Sequence, residues 1–318
     1  DSQTQAQEWF DDYQEQSFEN FGRELESTFE RNLLSKYSTY TNADSLTNLT
    51  GTAENDTLTG TDLKETIFGK KGDDTITGGA GDDVIFGDQG ADTLDGGLGA
   101  DSIDGGSGDD QITINGRYNN AGYTNLNVAG GTGNDTIKVS ENRAGRFNEA
   151  TSNYGFSSVT IDAGADDDTI TVEGSLNTTI TTGSGSDTVV LTSRQYRTQL
   201  QGDRQLLDKN SSKTGATQSA DPIVITDFTT GKGGDVLDFS DLLKNSATNY
   251  SGENPFGTGH IKLVQSGNDT LLQFDADAAG SNSQLVTMAV LKGTRSRDLS
   301  TVNFSPNFPP DGSAAPGE

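Results

Sequence analysis

The sequence predicts a mainly β chain, built around a right-handed parallel β-roll or β-helix solenoid with a helical N-terminal end and a β-rich C-terminal end. Three observations carry this expectation. From Gly51 the chain repeats every nine residues, glycines concentrate in that stretch, and an aliphatic residue recurs at the eighth position of each copy. Short tandem repeats of this kind mark architectures in which each unit packs only on its neighbours.

Composition sets the outer limits. The 318 residues suffice for two or three modest domains. Acids outnumber bases 48 to 21, a net charge of -27. A polyanion repels nucleic acid phosphates and anionic lipid heads and attracts cations, so neither nucleic acid binding nor membrane insertion is expected. Cysteine is absent, which excludes disulfides and thiolate metal sites. No apolar run approaches the ~20 residues of a membrane span, and no cleavable signal peptide opens the chain. A first residue of Asp1 is expected of a processed product or a fragment. The single histidine, His260, excludes an HExxH zinc site and leaves little for a Ser-His-Asp triad. It is expected at the surface, beside a strand.

Residues 1–45 contain one glycine, whereas 51–113 contain fifteen. In the first segment Phe18, Phe21, Leu25, Phe29 and Leu33 follow at spacings of three and four, one face of an amphipathic helix. Helices are expected over 4–36, with this stripe covering the first coil near Leu58 and Ile67. The rival reading makes the stripe an interface to a preceding domain or a neighbouring subunit.

The tandem block, 46–113 with its lead-in, reads from Gly51 as GTAENDTLT, GTDLKETIF, GKKGDDTIT, GGAGDDVIF, GDQGADTLD, GGLGADSID and GGSGDDQIT. The phrase returns as GGTGNDTIK at 130–138, AGADDDTIT at 163–171 and TGSGSDTVV at 182–190. Position eight is aliphatic throughout, and position six is acidic: Asp56, Glu65, Asp74, Asp83, Asp92, Asp101, Asp110, Asp135, Asp168 and Asp187. This resembles the RTX, or hemolysin-type, nonapeptide GGxGxDxUx, a calcium-binding repeat.

The spacing has its own physical reading. The glycine-rich half suits a turn with close backbone approach, and a triplet such as Thr75-Ile76-Thr77 suits a short strand with its centre inward. Each nonamer then supplies half a coil, so the turns on one edge come from repeats n and n+2. Asp56, Asp74, Asp92 and Asp110 share one edge; Glu65, Asp83 and Asp101 share the other. Stacked carboxylates repel. A divalent cation between turns removes the conflict, and calcium, taking six to eight carboxylate and carbonyl oxygens at ~2.3–2.6 Å, fits better than magnesium. Five ions are expected in this block, at the pairs 56/74, 74/92, 92/110, 65/83 and 83/101, with 65/83 weakest. Glu54 and Leu63 replace the fourth-position glycine in the first two repeats, which changes their turns.

Residues 114–193 read as wider coils of the same solenoid with loops thrown out. A basic polar loop follows at 194–220, containing Arg194, Arg197, Arg204, Lys209 and Lys213. It folds against the acidic turns or touches an anionic glycan. The phrase ITDFTTGKGGDVLDFSDLL opens a β-rich block over 221–304 and resembles the C-terminal module of type I secretion substrates. That resemblance implies a further calcium site at Asp227, Asp235 and Asp238; the alternative is a strand-end turn cap. Strands are expected at 260–265, 270–275 and 284–291, and the proline-rich 305–318 is expected to be disordered.

Three functions compete. One is a secreted, calcium-folded structural or surface module, as in an S-layer, adhesin or matrix, with calcium, a surface polysaccharide or further copies of itself as partners. Another is the calcium-binding and secretion tail of an extracellular protease, lipase or epimerase, although no catalytic constellation stands out here and no enzyme activity is expected. The third is glycan binding through a flat face. The resemblance implies a bacterial, extracellular or cell-surface location reached by type I secretion.

Overall fold

The computed structural model of the chain describes residues 48–116, 125–141, 158–173, 177–196, 222–278 and 285–313. The expected helices over 4–36 and most of the basic loop lie outside these residues. From Asn48 onward the chain is one compact unit.

Its strands alternate between two sheets. The odd members β1 (Asn48–Thr50), β3 (Thr66–Lys71), β5 (Val84–Gln89), β7 (Ser102–Ser107), β9 (Asn125–Thr132), β11 (Ser158–Ala165), β13 (Asn177–Thr181) and β15 (Ile223–Ile225) pair in that order. The even members β2 (Thr57–Thr59), β4 (Thr75–Thr77), β6 (Thr93–Asp95), β8 (Gln111–Gly116), β10 (Thr136–Glu141), β12 (Thr169–Glu173), β14 (Thr188–Leu191) and β16 (Val236–Asp238) form the second sheet. All these pairings are parallel, as a β-roll requires.

The position-eight residues, with Val128, Ile161, Ile180 and Ile225 continuing their column beyond the tandem copies, explain why the sheets face each other. Leu58, Ile76, Leu94, Ile112, Ile137, Ile170, Val189 and Leu237 stand in register down one sheet. Ile67, Ile85, Ile103, Val128, Ile161, Ile180 and Ile225 do so down the other. All fifteen are buried. Each such side chain contributes about 1.5–3 kcal/mol on burial, and the column is continuous, so every coil stabilises the next. The wider coils begin where a second column starts. Ile114, Val139, Val172 and Leu191 align in one sheet, and Leu126, Val159 and Thr178 in the other. On the outer face, the Phe68 and Phe86 rings stack with centroids 5.1 Å apart.

Most of the additional residues enter on one edge. The segments linking β8 to β9, β10 to β11 and β14 to β15 carry the largest length differences, while the turns into β10, β12 and β14 stay short and the one into β16 is longer, over 226–235.

The 221–304 block continues both sheets, with β15 and β16 extending them in parallel register. Beyond them β19 (Val286–Leu291) pairs parallel with β15, and β20 (Phe304–Ser305) with β16. The hairpin of β17 (Ile261–Ser266) and β18 (Asp269–Phe274) then adds antiparallel strands to β19. Helices α1 (Ser240–Ser246) and α2 (Pro255–Thr258) close this end. Here aromatic rings replace the aliphatic column: Phe304 lies in register with Leu237, and Phe239 and Phe256 pack on Phe304 at 5.9 and 5.0 Å.

Two expectations fail here. Residues 305–313 are not disordered: the Asn254 amide donates to the carbonyls of Pro309 (2.9 Å) and Ser313 (2.6 Å), which ties the proline-rich segment to α2. His260 is not at the surface. It is 4% exposed, between the Thr258 hydroxyl (2.8 Å) and the Thr248 carbonyl (3.3 Å), with Tyr250 packed edge-on.

Candidate metal centres

The position-six acids form two ladders. On one edge the backbone N–H of Asp56 donates to Oδ1 of Asp74 (2.7 Å), and Asp74 donates likewise to Asp92 and Asp92 to Asp110. The series runs on through Asp135, Asp168, Asp187 and Asp235, across separations of 25, 33, 19 and 48 residues. On the other edge Glu65 donates to Asp83 and Asp83 to Asp101. The edge assignment follows the 18-residue coil, and the first ladder is unbroken because the insertions enter opposite it.

Binding one carboxylate oxygen to the coil behind leaves the other to face the turn. In Asp74, Asp83, Asp92, Asp101, Asp110, Asp135, Asp168 and Asp187 that second oxygen, Oδ2, is buried and has no hydrogen-bond partner among the described residues. Each of these residues is at most 1% exposed. Eight unpartnered buried carboxylate oxygens demand an explanation, since desolvating a charge without compensation is strongly unfavourable. Burial, reinforced by neighbouring acids and opposed by the backbone N–H bond, pushes Asp83, Asp92 and Asp135 up to about 6. Asp101, Asp110 and Asp168 are pushed up to about 7, and Asp74 and Asp187 are raised for the same first reason.

The space beside six of these oxygens belongs to the first-position glycine, whereas Ala163 and Thr182 take that position in the turns of Asp168 and Asp187. A methyl placed on Gly69 would lie 2.5 Å from Asp74 Oδ2 and 2.7 Å from the Gly87 carbonyl oxygen. On Gly78 it would lie 2.6 Å from Asp83 Oδ2 and 2.5 Å from the Gly96 carbonyl. Carboxylate and carbonyl oxygens therefore converge on a spot that only a residue without Cβ leaves clear. No group of three or more His, Asp or Glu side chains gathers among the described residues. A cation here would draw on main-chain carbonyls as well as carboxylates, an all-oxygen set that suits calcium.

The family model for the RTX calcium-binding nonapeptide repeat matches residues 59–94 and 86–113, as four copies. Residues 59–113 are RTX calcium-binding nonapeptide repeats. No curated protein matches the chain. The RTX repeat is a structural calcium-binding unit and is not itself catalytic, and its two-sheet stacking is the one observed here.

Other expected ligands are placed differently. Asp56 Oδ2 accepts from the Thr52 N–H (2.6 Å) and hydroxyl (2.9 Å), and Glu65 accepts from the N–H and hydroxyl of Thr61. Asp235 joins the first ladder, but its Oδ2 accepts from the Thr229 N–H (2.7 Å) and the Thr182 hydroxyl (3.1 Å). Asp227 accepts from the N–H groups of Thr182 and Gly183, and Asp238 from that of Ser240. These are turn and strand-end caps.

Two features escaped the sequence reading. TGKGGDVLD at 230–238 is a further copy of the RTX phrase, with Leu237 at position eight, hidden by the long gap before it. Position five also matters: Asn55 accepts from the N–H of Asp73, Asp73 from Ala91, Asp109 from Asn134 and Asn134 from Asp167. These side chains reach forward to the next coil, whereas position six reaches back. Asn or Asp at position five in six of the ten copies was the available signal.

Proposed function

We propose that this chain is a calcium-folded architectural module that works outside the cell, at a bacterial surface or in an extracellular matrix. The observation that carries this reading is the row of eight buried, unpartnered carboxylate oxygens, five of which, on Asp74, Asp83, Asp92, Asp110 and Asp135, converge with a main-chain carbonyl of the next coil. Asp74, Asp83, Asp92, Asp101, Asp110, Asp135, Asp168 and Asp187 would each offer that oxygen to one ion, with carbonyls such as those of Gly87 and Gly96 completing the shell. Extracellular calcium modules bind with Kd on the order of 10⁻⁴–10⁻³ M, so such sites stay empty in a cytosol and fill outside. RTX repeats are typical of secreted bacterial proteins, which supports the location. The net charge of -27 opposes compaction of the metal-free chain.

Circular dichroism in EDTA, followed by titration to millimolar calcium, tests the proposal. Calcium should restore the β signal and magnesium should restore far less. A β signal indifferent to chelation would overturn it.

A further inference from the structure

The eight unpartnered carboxylates and the three satisfied ones are separated by what surrounds each turn. In the turns of Asp74, Asp83, Asp92, Asp101, Asp110, Asp135, Asp168 and Asp187, the second-position residue has positive φ. The glycines there, Gly79, Gly97, Gly106, Gly131, Gly164 and Gly183, have φ between 83° and 114°, and Lys70 and Asp88 reach 85° and 72° despite their side chains. None of these residues donates to its own acid. Thr52 and Thr61 occupy the same position without positive φ, and there the N–H and the hydroxyl both turn onto the carboxylate. Lys70 and Asp88 show that backbone conformation, not the mere presence of a side chain, makes the difference. At the opposite end the turn of Asp235 also has positive φ at its second position, Gly231 at 88°, and there the acid is met from elsewhere, by the Thr229 N–H (2.7 Å) and by the Thr182 hydroxyl of the coil before, which lies 3.1 Å from both Asp235 and Asp227.

We infer that the long ladder is terminated at both ends, and the short ladder at its start, by turns in which threonine donors stand in for the ion, so that calcium uptake is confined to the stretch from Asp74 to Asp187. This rests on the calcium reading above and sharpens it. The acids at the two ends of the long ladder, Asp56 and Asp235, and the first acid of the short one, Glu65, are metal-independent. At Asp56 and Glu65 the N–H and O–H of a single threonine meet the same charge, and at Asp235 two threonines, Thr229 and Thr182, share the task.

The test measures calcium bound per full-length chain by equilibrium dialysis, with calcium alone as the probe and circular dichroism confirming the fold of each variant. Asp56→Asn should leave the count unchanged, whereas Asp92→Asn should lose at least one ion. Replacing Thr52 and Glu54 together by glycine restores the glycines of the RTX phrase at 51–56 and should raise the count by one. If Asp56→Asn loses an ion as Asp92→Asn does, or if the folded double-glycine variant binds no more calcium than the parent, the inference is overturned. If Asp92→Asn binds as much as the parent, the calcium reading itself has failed. The milder Thr52→Ala, which keeps the backbone and removes one donor, supplies a second arm: it should leave the count of ions unchanged and weaken only the first turn.

Discussion

Aspartates held in a folded chain at pKa values near 6 to 7 behave differently from those of the unfolded chain near 4. A raised folded value means that the metal-free fold keeps protons which the unfolded chain releases, so its stability is fullest below about pH 4. That stability is then lost as pH rises through about 6 to 7, the values of Asp83, Asp92, Asp101 and Asp110. Without calcium the β signal should therefore recover as pH falls from 7 towards 4. Calcium requires the ionised carboxylate, so binding at pH 6 should expel protons. Calorimetry in buffers of different ionisation enthalpy reads that release, which should shrink above about pH 8; no buffer dependence at pH 6 would contradict the assignment. Glycine chemistry acts at the same scale. Gly99 sits at φ 151° and its Cβ would run into the Gly81 carbonyl, so Gly99→Ala should cost at least ~1–3 kcal/mol, read as a lowered denaturation midpoint in calcium. The acids were legible residue by residue because their period is fixed. The roles of Thr52 and Thr61 were not, because the sign of φ at position two is not written in the residue type: Lys70 and Asp88 adopt it and the threonines do not.

Among elements, the strands follow from single inward side chains. Ile137 is fully buried between Ile112 and Ile170 in register, while its neighbour Lys138 points outward to Glu173 at 3.1 Å. Ile137→Ala should cost about 2–5 kcal/mol, and Lys138→Ala within about 1 kcal/mol, since its ion pair is half exposed. Denaturant melts of both variants in saturating calcium make the comparison; equal losses would mean the column is not the core. Strand positions over the tandem block and the 17–18–19 meander were readable because short β-forming runs are bounded by glycine or Asn-Asp turns. The widening at Ile114 was harder to read. A second inward residue, such as Val139 or Val172, is only recognisable once register assigns it to a face. His260 was misread for a similar reason: its partners, Thr248 and Tyr250, come from the loop before α2 and not from its own strand.

Across the whole molecule, stability belongs to interfaces between coils. Each carboxylate of a ladder binds the coil behind it, so ordering one turn prepares its neighbour, the condition for nearest-neighbour cooperativity. Refolding followed against calcium concentration should be sigmoidal, with a Hill coefficient well above one; a simple hyperbola would show that the sites fill independently. The continuity of the 221–304 block with the roll was the least legible part. Its sheets join through the 48-residue step from Asp187 to Asp235, a distance at which sequence periodicity loses its phase.

The forward-reaching side chains of position five and the backward-reaching ones of position six give the roll a fixed increment of length. Adding one full coil of 18 residues restores both sets of bonds at the new junction, whereas adding nine exchanges the two edges for everything downstream. The downstream acids would then land on the edge that carries the insertions, and each wide strand would be offered to the opposite sheet. Excising residues 87–104 should thus leave a shorter roll that still folds on calcium, while excising 87–95 alone should not. In its tandem stretch, a chain built this way can change length only in whole steps.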